Sequence, residues 1–193
     1  MKQNNKRAFT IVEVSILFVI FLIVAFLVAP LSLDDTLQAK NTSRWKQVQS
    51  DFINISHTMQ KTEHKNFRES FVSGINSDIK NEIRPYRITY MNGSTPQETY
   101  TFNKFYNTQS NATLAYNLYE HPQNKIYGVI MYDVNGQTGP NSWGKDVFGF
   151  YIFEDKLEPF GKDKSQNEQK QDCSKDGTGI YCSNYYLIGG NFD

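Results

Sequence analysis

Asp133, Asn135, Asn141 and Asp146 put four oxygen-bearing side chains into one loop that also holds Gly136, Gly139 and Gly144. A hard cation takes about six to eight oxygens from loops of this kind, which makes calcium the candidate ion. The spacing does not fit the EF-hand, which closes on a bidentate acid. Turn chemistry explains the same residues without an ion: Asn135-Gly136 is a favoured tight turn and the carboxylates cap it. This second reading is the stronger, because it also explains the glycines.

Glu13 is the other acid that calls for a reason. It interrupts the otherwise apolar run of "KRAFTIVEVSILFVIFLIVAF", Lys6 to Phe26. On insertion scales a carboxylate near a membrane core costs roughly 2.5–3.5 kcal/mol, so a role is expected for it.

Enzyme chemistry finds no support. The chain has no G-x-S-x-G, H-E-x-x-H or Walker loop, and no G-x-G-x-x-G opening a helix. His57 and His64 would lie two helical turns apart, too far to share an ion without further ligands, and neither is at ligand spacing from the cysteines. With 20 Lys+Arg against 20 Asp+Glu, no basic excess points to nucleic acid. A non-enzymatic protein is expected.

The elements that would position these residues follow from pattern. From Val14 to Leu33 no charge occurs. A helix of about 20 such residues, rising ~1.5 Å each, is as long as the ~30 Å hydrocarbon layer is thick. Lys2, Lys6 and Arg7 precede this span and Asp34 and Asp35 follow it. The expectation is a single pass through the inner membrane, with a cytoplasmic N-terminus and everything after Leu33 outside. Pro30 is expected to kink the helix rather than stop it.

Leu33, Leu37, Trp45, Val48, Phe52, Ile55 and Met59 then fall mainly three and four apart, as one stripe of an amphipathic helix. Phe67, Phe71, Ile75 and Ile79 suggest a further short helix ending at Arg84-Pro85.

After Tyr86 the pattern changes to alternation and turns. "YRITYM", "TYTFNKFY", "TLAYNLYE", "IYGVIMYDV", "VFGFYIF" and "YYLIG" read as strands, and "GKDKSQNEQKQD" as an exposed loop. Cys173 and Cys182 fall in the part expected outside, where thiols oxidise, and Gly177 and Gly179 permit the turn between them. The fold class expected is α+β, a long N-terminal helix packed on an antiparallel sheet and closed by a C-terminal disulfide loop.

At "KRAFTIVE" the chain resembles the leader and mature start of type IV pilins and type II secretion pseudopilins, through Arg7, Ala8, Phe9, Thr10, Ile11, Val12 and Glu13. "DVNGQTGPNSWGKDVFGFYI" is similar to a loop-and-strand element of the same family, and "CSKDGTGIYCSNYYLI" to its disulfide-bounded C-terminal segment. The resemblance implies cleavage between Ala8 and Phe9 by a prepilin peptidase that also methylates the new amine, although Ala8 stands where glycine is usual. It implies that Glu13 meets the α-amine of a neighbouring subunit in a filament, and that Pro30 is the helix-kinking proline. The other partners it implies are further pilin or pseudopilin subunits and an inner-membrane assembly platform.

In this reading residues 1–8 are the leader, 9–33 the transmembrane and assembly helix, 34–84 the extended helix and the short helix, and 85–193 the β head. The competing reading is a singly anchored module in which Glu13 snorkels to the headgroups and the Gly-rich or the disulfide loop binds a ligand.

Overall fold

The computed structural model describes residues 11–63, 74–96, 102 and 104–191, with side-chain surroundings for all of these except 28–34, 55, 56, 58–63, 122 and 123. The chain divides into two compact units, Met1–Ala39 and Lys40–Asp193.

The first unit holds the beginning of helix α1, Ile11–Glu63. Straight-chain and branched apolar residues fill it on every side, so no single face is favoured. Phe18, Phe21 and Phe26 expose 62%, 67% and 86% of their surface. Glu13 lies in the first turn, where the positive end of the helix dipole favours an acid by about 0.3–1 kcal/mol.

Two expectations are corrected here. Among the described residues no helix is long and apolar enough to cross a membrane, which overturns the single-pass anchor over Val14–Leu33 and the localisation built on it.

The second correction is to the long N-terminal helix packed on the sheet. Within the unit Lys40–Asp193 the described side chains that bury against the sheet are confined to about three turns, from Asn41 through Trp45 and Val48 to Phe52. Leu37, expected in the same stripe, is exposed, and the side chains of Ile55 and Met59 lie outside the description.

The sheet has 6 strands in sequence order, each antiparallel to the next. They are β1 (Ile79–Ile83), β2 (Phe105–Thr108), β3 (Thr113–Gln123), β4 (Ile126–Asp133), β5 (Val147–Ile152) and β6 (Leu157–Pro159). β3 and β4 turn at Asn124-Lys125, where both residues have positive φ, the backbone twist that a two-residue hairpin needs. Register then sorts the side chains by face: Leu114, Tyr132 and Phe148 lie across from one another, and so do Thr113, Asp133 and Val147.

Both faces of the sheet are covered. On the first, Trp45 stacks on Phe148 with ring centroids 4.9 Å apart, and Phe52 meets Tyr132 edge-on at 5.8 Å. Tyr185, Tyr186 and the disulfide complete that core. On the second face Phe105, Met131, Val147 and Phe160 pack with Trp143 and Ile180. Gly149 is required on this side, because a Cβ there would run into the Phe160 ring.

Several local expectations also differ. Ile75 sits in a helical turn over residues 74–78, but Ile79 opens a strand, and Phe67 and Phe71 lie outside the described residues. "YRITYM" is not a sheet strand. Its backbone bonds instead to loops, Thr89 N–H to the Asn141 carbonyl and Met91 N–H to the Thr178 carbonyl.

The segment read as an exposed loop contains helix α2, Gln166–Asp172, started by a capping box between Ser165 and Glu168. "YYLIG" follows helix α3, Cys182–Tyr185, as turns rather than as a strand. Cys173 and Cys182 form a buried disulfide with an S–S distance of 2.07 Å. On the chain-entropy account, closing a loop this short stabilises by somewhat under ~3 kcal/mol.

Candidate functional site

Asp133 ends β4 on the second face, and the Asn135-Gly136 turn that follows brings the chain back toward Asp146, just before β5. Gly136 has a φ of +68°, and its backbone comes so close to the Asn111 carbonyl that a Cβ would stand 2.7 Å from that oxygen. The loop therefore folds tightly over the sheet end. It brings all four residues singled out from the sequence, Asp133, Asn135, Asn141 and Asp146, into one cluster.

Both carboxylates are fully buried, with 0% exposure. Asp133 accepts from the Tyr86 hydroxyl at 2.6 Å on Oδ2 and from the Asn135 backbone N–H at 3.2 Å on Oδ1. Asp146 accepts from the backbone N–H groups of Ser142 at 2.7 Å and Asn141 at 2.9 Å, one on each oxygen. With its amide turned to satisfy both neighbours, Asn141 Nδ2 donates to Asp133 Oδ2 at 3.2 Å and to the Gly136 carbonyl at 3.1 Å. Thr113, directly across the ladder from Asp133, is buried beside Tyr86, and its hydroxyl falls short of hydrogen-bond geometry. The Asn135 Oδ1 is likewise buried without a donor.

Burial dominates the electrostatics. It pushes the Asp133 carboxyl up to about 8, a shift the Tyr86 hydrogen bond opposes and the Asp146 charge reinforces. Burial also raises Asp146, against the backbone donors of Ser142 and Asn141. Tyr86 is raised far above the ordinary phenol range by burial first and then by the Asp133 charge. At neutral pH Asp133 is therefore held mainly as the acid.

The donors already held by these carboxylates compete with calcium. Each of the four carboxylate oxygens already accepts a protein donor, which an ion would have to share or displace. The buried side-chain oxygens without a partner are two neutral ones, Asn135 Oδ1 and Thr113 Oγ1. Among the described residues no group of three or more His, Cys, Asp or Glu is placed to share an ion. Millimolar calcium added to chelated protein is expected to leave the melting temperature within about 1 °C. A rise of several degrees would show that the carboxylates exchange their donors for the ion.

The sequence reading missed Tyr86, Thr113 and Ser142. Only the β3–β4 register could have suggested Thr113, and nothing local marks Tyr86 as the donor to an acid so far along the chain. The assembly residues lie elsewhere. Ala8 and Phe9 are outside the described residues, Glu13 is in the first turn of α1, and α1 continues through Pro30.

The fold and this cluster define a two-faced antiparallel meander whose loop is tied down by buried acids. No protein-family model, curated protein or solved structure matches the chain.

Proposed function

We propose that the chain is a structural subunit, of the type IV pilin or type II secretion pseudopilin kind, that enters a helical filament through its N-terminal helix. The supporting observation is the start of α1. A helix exposing Ile11 to Leu27 on all sides is stable in water only when something covers it, and copies of the same helix are the simplest cover. The "KRAFTIVE" stretch leads directly into that surface. In the assembled state Glu13 would meet the amine of Phe9 from a neighbouring copy, which gives the acid its role. Prepilin peptidase/methyltransferase and other subunits are then the partners, and loss of Lys2, Lys6 and Arg7 with the leader leaves the mature chain net acidic.

Mass spectrometry of the N-terminal peptide tests the processing. A chain beginning at Phe9 and carrying one added methyl is the expected result, and a chain beginning at Met1 would overturn it. Glu13→Ala tests the assembly: the variant is expected to be cleaved as usual and to remain unassembled. Filaments from that variant at the wild-type level would favour a non-polymerising role for Glu13 and the ligand-binding module as the alternative.

A further inference from the structure

A cavity of about 480 Å³ opens beside α1 in the unit Lys40–Asp193, away from both the buried acids and the exposed helix. Its apolar part is Val48, Phe52, Ile75 and Leu114. These come from α1, the helical turn over residues 74–78 and β3, so the hollow lies where the helix leaves the sheet. Volumes of this order, apolar with a few convergent polar groups, are typical of small-molecule sites.

Among the described lining residues the two charged ones are both acidic. Asp51 from α1 and Asp78 from the 74–78 turn line it, together with Tyr132 of β4. No Lys, Arg or His is among the described residues that line it. Tyr132 is itself buried, and its hydroxyl lies 3.4 Å from Ser110 Oγ, which is engaged with Thr108 Oγ1 at 2.9 Å. Burial raises the Tyr132 phenol first. The Ser110 and Thr108 hydroxyls oppose the rise, while the charges of Asp78 and Asp51 add to it. Asp51 also accepts from Gln47 Nε2 at 2.8 Å, which orients its carboxylate.

We propose that this cavity binds a small organic cation, a protonated amine on a short aromatic or branched aliphatic body. The ammonium would sit between Asp51 and Asp78 near the Tyr132 hydroxyl, and the apolar body would cover Phe52, Ile75 and Leu114. Among the described lining residues two carboxylates stand without a base, which disfavours an anion of the same shape, and the apolar walls disfavour an inorganic cation that keeps its water. The site does not depend on filament assembly, since none of these residues lies in the Met1–Ala39 unit.

The test is calorimetric titration of the full chain with 2-phenylethylammonium and, as the anion of like shape, 3-phenylpropionate. Saturable binding of the ammonium, at least about tenfold tighter than the anion, is expected, with shifts of the Val48, Ile75 and Leu114 methyl signals. The double variant Asp51→Asn, Asp78→Asn replaces two rim carboxylates without changing the apolar walls. It is expected to melt as the wild type does and to bind the ammonium about tenfold more weakly. No saturable binding, equal binding of the two probes, or an unchanged affinity in the double variant would each overturn the proposal. The comparison of the probes on the wild-type chain holds even if the double variant is unstable.

Discussion

Trp45→Ala lowers the stability of the Lys40–Asp193 unit by about 3–5 kcal/mol, the largest single-residue effect expected in the molecule. Trp45 has 0% exposure and lies over Phe148 at 4.9 Å and Phe150 at 4.6 Å. Its indole N–H also donates to the Ser183 carbonyl at 2.8 Å, joining helix α1 to the C-terminal segment behind the sheet. Truncation would leave a cavity between helix and sheet and a buried carbonyl without its donor. Trp45→Phe keeps a ring in the stack and loses the hydrogen bond, so a smaller loss, about 1–2 kcal/mol, is expected. Urea unfolding followed by near-ultraviolet circular dichroism measures both. A loss under about 1 kcal/mol for the alanine variant would mean that α1 contributes little to this core.

The stability of the unit also falls as the pH rises from about 5 to about 9. Asp133 holds its proton to about pH 8 in the folded chain, against an ordinary aspartate value of 3.8. Between those values the folded state binds more protons than the unfolded one, so stability declines with pH. The contribution is complete below the unfolded value and is lost as pH passes through the folded one. Asp146, also raised by burial, acts in the same direction. The change from Asp133 alone is on the order of 2–5 kcal/mol.

Asp133→Asn keeps the shape and removes the ionisation, so the melting temperature of that variant should vary much less over the same range. Tyr86 can turn its hydroxyl to accept from the new amide, with the buried Thr113 hydroxyl beside it as a recipient for its own proton. A wild-type melting temperature that is flat or rising between pH 5 and pH 9 would show that Asp133 ionises while folded.

Some of this architecture was legible because it depends on local pattern. Alternation of apolar and polar residues marked β3, β4 and β5, and Asn135-Gly136 marked the tight turn over Asp133. The spacing of Trp45, Val48 and Phe52 predicted a buried helical stripe, and those three side chains do face the sheet. The capping box Ser165–Glu168 was equally local. It escaped notice because the segment lacks an apolar stripe, and α2 buries chiefly Gln169, whose Oε1 accepts from Asn184 Nδ2 at 2.9 Å.

Where alternation misled, long-range contacts decided the outcome. "YRITYM" has the pattern of a strand, but its polar backbone pairs with the loops around Asn141 and Thr178, and its Tyr86, Ile88 and Tyr90 pack onto the second face of the sheet. Tyr185 and Tyr186 read equally well as strand residues. In the structure Tyr186 meets Phe148 edge-on at 6.1 Å and bonds to the Gly144 carbonyl, and α3 turns it into that position. Ile75 and Ile79 suit either period, and only pairing with β2 makes Ile79–Ile83 a strand rather than the end of a helix.

The sequence by itself determined the β-rich second half, the cysteine pair, the Gly-rich turn and the resemblance at "KRAFTIVE", because each depends on neighbours a few residues apart. The tertiary structure alone decided that three turns of α1 cover the sheet, that the loop acids are consumed by Tyr86 and backbone donors, and that two carboxylates line one apolar cavity. Those outcomes rest on burial and on partners far apart in the chain, which no local pattern encodes.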